Sequence, residues 1–330
     1  MENKLTIITT LVNANGRKIQ IDRFINYHIR FNCKIIIVVP NDIKGISSEK
    51  ENITIINCSK DTPVLKKFLL ALEKTTTPYV SLIADDDFLG LDFTLKSIIA
   101  MDSNNYIVAC DGLTIMKEEE TGKRKEFLYS YKSYVNGIRK KINVSRKHVF
   151  RFQAENFNPS VIHGIIRTNT VLEAMKLIDN LDIPVNFNDR VFLVVLMVNG
   201  NIHFINSVSG IRSYGVRIMH NDPKLFNKTE IRPDALILDD KTVNLLLNCY
   251  TLKTKKMSSI IKAEMLYFLI KSTNALTTNI DTKSFKYKIM RFYMTIKSQL
   301  TLLRLSLFNK KIKADIKLAE YFFKNYSIKG

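Results

Sequence analysis

The chain has 330 residues, 46% of them hydrophobic, which is enough for a sizeable core and excludes wholesale disorder. Its four cysteines form no CxxC pair and lie near no histidine at zinc-ligand spacing, which excludes a disulfide framework or a structural zinc site and favours buried free thiols. The net charge is +19, and residues 251–330 carry most of it, with 17 Lys and Arg against 4 Asp and Glu. Such a basic end favours an anionic partner: a membrane surface, a lipid phosphate or nucleic acid.

The first third of the chain alternates apolar runs with segments of helical periodicity. The predicted strands are 5–12, 34–39, 53–56, 79–84 and 106–110, and the predicted helices are 17–30, 64–72 and 91–101. Strands that are apolar on both faces are typical of a sheet covered by helices on both sides. The sequence therefore predicts an α/β fold with a mostly parallel central sheet.

The rest of the chain is less regular and then becomes helical. Residues 114–150 are polar and tyrosine-rich, and we expect loops with a possible hairpin there. The later predicted elements are a strand at 160–167, helices at 170–178 and 189–198, and a short strand at 202–205. From about residue 239 the pattern is helical to the end. We therefore expect a main domain over 1–238 and a basic helical region over 239–330.

Neither a secretory signal nor a membrane span is recognisable in the sequence. The N-terminus runs directly into the first predicted strand, without the long apolar stretch of a signal peptide. The longest apolar run, 191–198, is far too short to cross a bilayer. We expect a cytoplasmic protein whose contact with a membrane, if there is one, is peripheral.

Three adjacent aspartates, Asp85, Asp86 and Asp87, directly follow a predicted buried strand. Ligands of parallel sheets bind at the carboxyl ends of strands, so these residues and Asp42 after the second strand are candidate site residues. Like charges 4 Å apart repel by roughly 1 kcal/mol in water and several times more near a protein surface. A divalent cation offsets that repulsion, and carboxylate oxygens favour Mg²⁺ or Mn²⁺, which keep open positions for phosphate oxygens.

The spacing of the three acids suggests different roles for them. In an extended backbone the first and third side chains point the same way, which favours Asp85 and Asp87 as metal or ribose ligands and leaves Asp86 to position a sugar. Such a metal would stabilise the charge of a nucleoside diphosphate leaving group. The alternative is a solvated acidic turn that caps the helix predicted near Leu91.

The run TPYVSLIADDDF at residues 77–88 resembles the metal-binding signature of bacterial glycosyltransferases of the GT-A fold, related to the large inverting family 2. The run LTIITTLVN at residues 5–13 resembles their opening strand, although Thr10 stands where proline is usual and Ala14 where arginine is usual. The segment 34–42 resembles their second strand without its usual DxS ending. The resemblance extends over about residues 5–215.

This resemblance implies a nucleotide-sugar donor and a saccharide or lipid-linked acceptor, as in bacterial surface polysaccharide synthesis. It implies donor contacts at Asn13, Asp42, Asp85, Asp86 and Arg212, and metal at Asp85 and Asp87. It also implies a carboxylate base about a hundred residues after the metal motif, where Asp189 begins a predicted helix. Alternatives to Asp189 are Asp179 and Asp182, and Asp189 itself also suits a helix start without catalysis. An inactive glycan- or membrane-binding relative and a nucleotidyltransferase remain alternatives.

Two further features leave open whether they serve function or packing. His163, in an apolar predicted strand, either faces an acceptor or is a hydrogen-bonded core residue. The last region carries an apolar stripe with lysines off it. The stripe consists of Phe285, Ile289, Phe292, Ile296, Leu300, Leu303 and Leu307. A basic amphipathic helix of this kind either lies on an anionic membrane or packs on the main domain. No recognised nucleic-acid motif occurs, so we do not expect nucleic acid as a partner.

Overall fold

The computed structural model describes residues 1–11, 17–43, 46, 50–118, 126–128, 159–180, 188–214 and 321. Its strands are β1 Leu5–Thr10, β2 Lys34–Pro40, β3 Ile53–Cys58, β4 Tyr79–Leu82, β5 Phe88–Leu89, β6 Ile107–Glu118, β7 Glu126–Leu128, β8 Ile165–Arg167 and β9 Asn201–Tyr214. Its α-helices are α1 Arg17–His28, α2 Val64–Glu73, α3 Leu91–Ser103, α4 Thr168–Asn180 and α5 Asn188–Asn199. In the first third, every predicted element begins within one residue of its prediction.

The strands form one sheet in which parallel pairing dominates. Its order is β3-β2-β1-β4-β8-β6-β9-β5, with β7 pairing beside β6. The first four of these strands are mutually parallel, and β6 and β9 form a long parallel ladder. The short strand β8 runs antiparallel between β4 and β6, which makes β4 and β6 point the same way. The predicted α/β fold with a mostly parallel sheet flanked by helices is confirmed.

Two apolar layers cover the sheet because successive residues of each central strand point to opposite faces. In β2, Ile35, Ile37 and Val39 pack with α1 and α3, whereas Ile36 and Val38 pack with α2, α4 and α5. The run from Val191 to Met197 in α5 is buried along its length, so this helix is enclosed rather than amphipathic. Cys33, Cys58 and Cys110 are buried free thiols, as the sequence predicted.

Two of the predictions for the second half of the fold need correction, and a third is met in part. The segment predicted as one strand over 160–167 is a 3-10 turn, Pro159–His163, followed by the short strand β8. The strand predicted over 202–205 is the start of the much longer β9, because its partner β6 continues to Glu118. The predicted hairpin exists as an antiparallel pair of β6 and β7, and residues 129–150 lie outside the described residues.

The predicted boundary at residue 239 and the basic helical region after it lie outside the described residues, apart from Tyr321, which is exposed and helical. Within the part of the chain that the structure describes, no helix has the length and apolarity needed to cross a membrane.

Candidate active site

The aspartate run forms a tight turn after β4, so it does not have the extended backbone on which the predicted common direction of Asp85 and Asp87 depends. The backbone N–H of Asp87 donates to the carbonyl oxygen of Ala84 at 3.2 Å, which closes the turn. Asp85 and Asp87 are nevertheless both buried, with 5% and 7% exposure, whereas Asp86 is more exposed. The turn, and not a pleated strand, therefore carries two buried acids with a more exposed one between them. That the side chains of Asp85 and Asp87 share one direction stays a prediction.

The burial of Asp85 and Asp87 speaks against the alternative of a solvated capping turn. The residue before helix α3 is Gly90, and no side chain caps this helix. Burying a carboxylate costs free energy unless charge or hydrogen bonds compensate it. Charge or hydrogen bonds must therefore compensate both acids in their buried positions.

The register of β5 and β9 brings Arg212 to Asp87. These strands are antiparallel, with Phe88 opposite Ile211, so the residues just outside that pair, Asp87 and Arg212, face each other. Arg212 Nε lies 3.8 Å from Asp87 Oδ2, and the two side chains are only 16% and 10% exposed. Arg212 lies inside β9, which extends well beyond the short strand predicted over 202–205. Strand pairing thus places the guanidinium group of Arg212 beside the aspartate turn.

Helix α1 clamps the backbone of β5 just after the turn. Tyr27 Oη donates to the carbonyl oxygen of Leu89 at 3.0 Å, and the N–H of Leu89 donates to His28 Nε2 at 3.2 Å. His28 Nδ1 in turn lies 2.9 Å from the carbonyl oxygen of Phe24. Burial lowers the pKa of His28 to about 3, so the ring is neutral, with Nδ1 as donor and Nε2 as acceptor. Both polar groups of Leu89 are thereby fixed.

His163 lies beside the same strand end. Its Nδ1 is 2.8 Å from the carbonyl oxygen of Leu82, the last residue of β4. Burial and the positive charge of Arg212 lower the pKa of His163 to about 3. The residue ends a 3-10 turn instead of lying in the predicted strand, and its ring is hydrogen-bonded and partly buried.

Asp42 lies at the same edge of the sheet, two strands away from β4. The turn after β2 is closed by a hydrogen bond from the N–H of Ile43 to the carbonyl oxygen of Pro40, and Asp42 is exposed within it. Asn13, the remaining predicted donor contact, lies outside the described residues. The support for Asp42 as a donor contact is therefore its position at this edge of the sheet.

Sequence reasoning missed Lys67, whose amine is buried at this edge. Its Nζ donates to the carbonyl oxygen of Leu11, directly after β1, at 2.8 Å. Burial lowers the pKa of Lys67, while the nearby Cys58 and Asp42 raise it. The sequence does contain a signal for Lys67, because this lysine follows Val64 at helical spacing and so lies on the apolar face of the predicted helix.

Asp189 is exposed in the first turn of α5. The other end of α5 lies at the start of β6, where the N–H of Asn201 donates to the carbonyl oxygen of Tyr106 at 2.7 Å. The first turn of α5 therefore points toward the carboxyl edge of the sheet, and the helix packs on the turn that contains His163. The alternative Asp179 is in an ion pair with Lys66, and Asp182 lies outside the described residues.

The described donor set is two buried carboxylates, Asp85 and Asp87, with the more exposed Asp86 between them. Among the described residues no group of three or more His, Cys, Asp and Glu side chains could hold a metal ion. A site with one or two protein carboxylates fits Mg²⁺ or Mn²⁺, which take their remaining ligands from water and phosphate oxygens. The residues present therefore suit a cation that arrives with a diphosphate.

No protein-family model matches the chain, and no curated protein sequence matches it. Among solved structures, the chain is similar to TarS of S. aureus, with 13% identity over 84% of this chain and 46% of that one and a TM-score of 0.47. It thus spans about half of that chain. For TarS 1–349 the identity is 12% over 99% of this chain and 93% of that one, with a TM-score of 0.46. For TarS 1–349 in complex with UDP the identity is 15% over 85% of this chain and 77% of that one, with a TM-score of 0.44.

Proposed function

We propose that the protein is a nucleotide-sugar-dependent glycosyltransferase whose donor binds at the carboxyl edge of the sheet. The observation that carries this proposal is the buried aspartate turn with Arg212 held against Asp87. Two carboxylates suit a divalent cation, and a guanidinium matches phosphate oxygens. Side chains of both kinds beside one strand end are what binding of a diphosphate with its cation requires.

In this proposal each residue of the edge has a defined task. Asp85 and Asp87 hold Mg²⁺ or Mn²⁺, which when bound neutralises charge on the diphosphate leaving group. Arg212 contacts the diphosphate, Asp86 positions the donor sugar, and Asp42 and Asn13 contact the nucleoside. Asp189 accepts the proton of an acceptor hydroxyl, which inverts the anomeric centre if attack comes from the opposite face. Its exposed position at the same edge leaves room for an acceptor.

The acceptor that we propose is a saccharide or a lipid-linked saccharide of bacterial surface polysaccharide synthesis. The basic region over 251–330 would hold the enzyme on an anionic membrane surface, where lipid-linked acceptors lie. This part of the proposal depends on charge and on the apolar stripe in the sequence.

The test is a screen of UDP-, GDP- and dTDP-sugars for hydrolysis with Mg²⁺ or Mn²⁺, in wild type and Asp87→Asn. We expect one donor class to be hydrolysed, and the variant to lose about 100-fold or more in kcat, because it removes a charge from the cation site. Asp61→Asn, which changes an exposed acid, is the matched control and should retain wild-type turnover.

The same screen separates the enzyme from an inactive relative. Calorimetric titration with UDP and Mn²⁺ should show binding in wild type and weaker binding in Asp87→Asn. Binding without turnover of any donor would favour the inactive relative, and equal turnover in Asp87→Asn and wild type would remove the proposed role of the aspartate turn.

A further inference from the structure

The backbone that carries His163 lies between the end of β4 and the first half of β6. Ser81 Oγ donates to the carbonyl oxygen of His163 at 3.3 Å. The next residue, Gly164, has no room for a side chain, because an added Cβ would lie 2.1 Å from the carbonyl oxygen of Cys110. The backbone that carries the ring of His163 is therefore held in place beside the aspartate turn.

The hydrogen bond of the ring defines its tautomer. The carbonyl oxygen of Leu82 can only accept, so His163 Nδ1 must carry the hydrogen, and Nε2 of the neutral ring is an acceptor. The low pKa keeps the ring neutral at physiological pH. Among the described residues no hydrogen-bond partner of Nε2 is found, and His163 is only partly buried.

The surroundings of His163 are those of the proposed sugar-transfer site. Its hydrogen-bond partner Leu82 ends the strand that leads into the aspartate turn. Arg212 is close enough to lower its pKa and is itself 3.8 Å from Asp87. Helix α5, which begins beside Asp189, packs on the turn that His163 ends. A hydrogen-bond acceptor thus lies at the edge that carries both the proposed donor site and the proposed base.

We propose that His163 is a specificity-determining residue whose Nε2 accepts a hydrogen bond from a hydroxyl group of a sugar bound at this site. The inference rests on the proposed function and adds a contact to it. In this inference Asp189 remains the base, and His163 orients a hydroxyl group. A site that hydrogen-bonds a hydroxyl rejects analogues that lack it, which gives this contact its effect on specificity.

Two substitutions separate the two nitrogens of the ring. His163→Asn places an amide N–H near the position of Nδ1, which retains the bond to Leu82 and removes the acceptor. His163→Gln places an amide oxygen near the position of Nε2, which retains an acceptor and weakens the bond to Leu82. We expect kcat/KM to fall about fivefold to tenfold in His163→Asn, as for one lost hydrogen bond, and about twofold in His163→Gln.

Two assays show which sugar supplies the hydroxyl. Hydrolysis of the UDP-, GDP- and dTDP-sugar panel without acceptor reports on the donor sugar, and transfer to methyl glycosides reports on the acceptor. An effect of His163→Asn in the first assay assigns the donor, and an effect only in the second assigns the acceptor. Affinity for UDP, which has no sugar to be transferred, should be the same in wild type and both variants.

Two results would overturn the inference. One is wild-type kcat/KM in both assays for His163→Asn. The other is a larger loss in His163→Gln than in His163→Asn together with a lower melting temperature, which would assign His163 to structural support through Leu82. Failure of the proposed function is visible earlier, because wild type would then neither hydrolyse a nucleotide-sugar nor bind UDP with Mn²⁺, and the inference would fall with it.

Discussion

Asp87 and Arg212 show how a single pair of residues makes a charged turn compatible with a buried position. A carboxylate removed from water needs a partner, and the guanidinium at 3.8 Å supplies opposite charge in a place where solvent screens little. An ion pair of this kind contributes little net stability once the cost of desolvation is counted. The proposed donor site gives the pair a second role, in which the carboxylate holds the cation and the guanidinium contacts a phosphate.

His28 predicts how stability depends on pH. Its pKa is about 3 in the folded protein and near 6.5 when unfolded, so the unfolded state binds more protons between these values. Its contribution is therefore fully present above pH 6.5 and is lost as the pH falls toward 3. From pH 7.5 to pH 5 the loss is about 2 kcal/mol in the free energy of unfolding for this residue.

The measurement is urea unfolding at pH 7.5 and pH 5 for wild type and His28→Gln. The variant keeps an acceptor for the N–H of Leu89 but does not titrate, so it should lose about 2 kcal/mol less than wild type over this range. Tyr27→Phe, which removes the other bond to Leu89, is the matched control and should retain the wild-type pH dependence. Equal pH dependence in His28→Gln and wild type would contradict the assignment.

At the scale of elements, the two-residue strand β5 determines the geometry of the site. It is held by α1 from one side and by β9 from the other, where the N–H of Gly90 also donates to the carbonyl oxygen of Ser209 at 3.1 Å. Without this pairing neither the aspartate turn nor Arg212 would have a fixed place. A strand this short contributes through position and not through its own stability.

Gly90 tests this role, because an added Cβ would lie 1.8 Å from the carbonyl oxygen of Val208. Gly90→Ala should push β9 away from β5, lower the free energy of unfolding by about 1–3 kcal/mol and reduce donor turnover. Gly210→Ala is the matched control on the facing strand, since its Cβ would come no closer than 3.5 Å to Phe88. Urea unfolding should place this control within about 1 kcal/mol of wild type. Equal stability of the two variants would refute the idea that the close contact of Gly90 with β9 fixes the position of β5.

The elements that the sequence predicted well and those that it missed differ in how local their signal is. The strand β2 and the helix α2 have apolar periods within their own residues, and each begins where predicted. Residues Phe88 and Leu89 are a strand only because β9 pairs with them, and two residues carry no period. The 3-10 turn ending at His163 was read as a strand because its residues are apolar, and the fit of Gly164 against β6 that bends the chain is a tertiary contact.

For the site, as for the fold, the sequence predicted what depends on local signals and missed what depends on tertiary contacts. The parallel-sheet rule correctly placed the aspartate run at the carboxyl edge, since it depends only on strand order. Asp85 and Asp87 lie in a turn, whereas the predicted common direction of their side chains assumes an extended backbone. Lys67 and the contact of Arg212 with Asp87 arise from packing and register, which no single-sequence period encodes.

For the whole molecule, charge is divided unequally along the chain. Residues 251–330 carry a net charge of +13, from 17 Lys and Arg against 4 Asp and Glu, out of a total of +19. The apolar stripe over residues 285–307 lies in the same region, and basic residues lie off the stripe. This combination favours the surface of an anionic bilayer, where each lysine contributes about 1 kcal/mol.

Cosedimentation of the full chain with vesicles tests this assignment. We expect binding to vesicles that contain phosphatidylglycerol in low salt, release at about 0.5 M salt because exposed charges are then screened, and no binding to phosphatidylcholine alone. Reversing Lys310, Lys311 and Lys313 to Glu should weaken binding about 100-fold or more. The matched control reverses three exposed lysines of the main domain, Lys50, Lys60 and Lys74, and should bind as wild type. Equal loss in both triple variants would indicate attraction by net charge alone. No loss in either variant would contradict the assignment and favour a stripe that packs on the main domain.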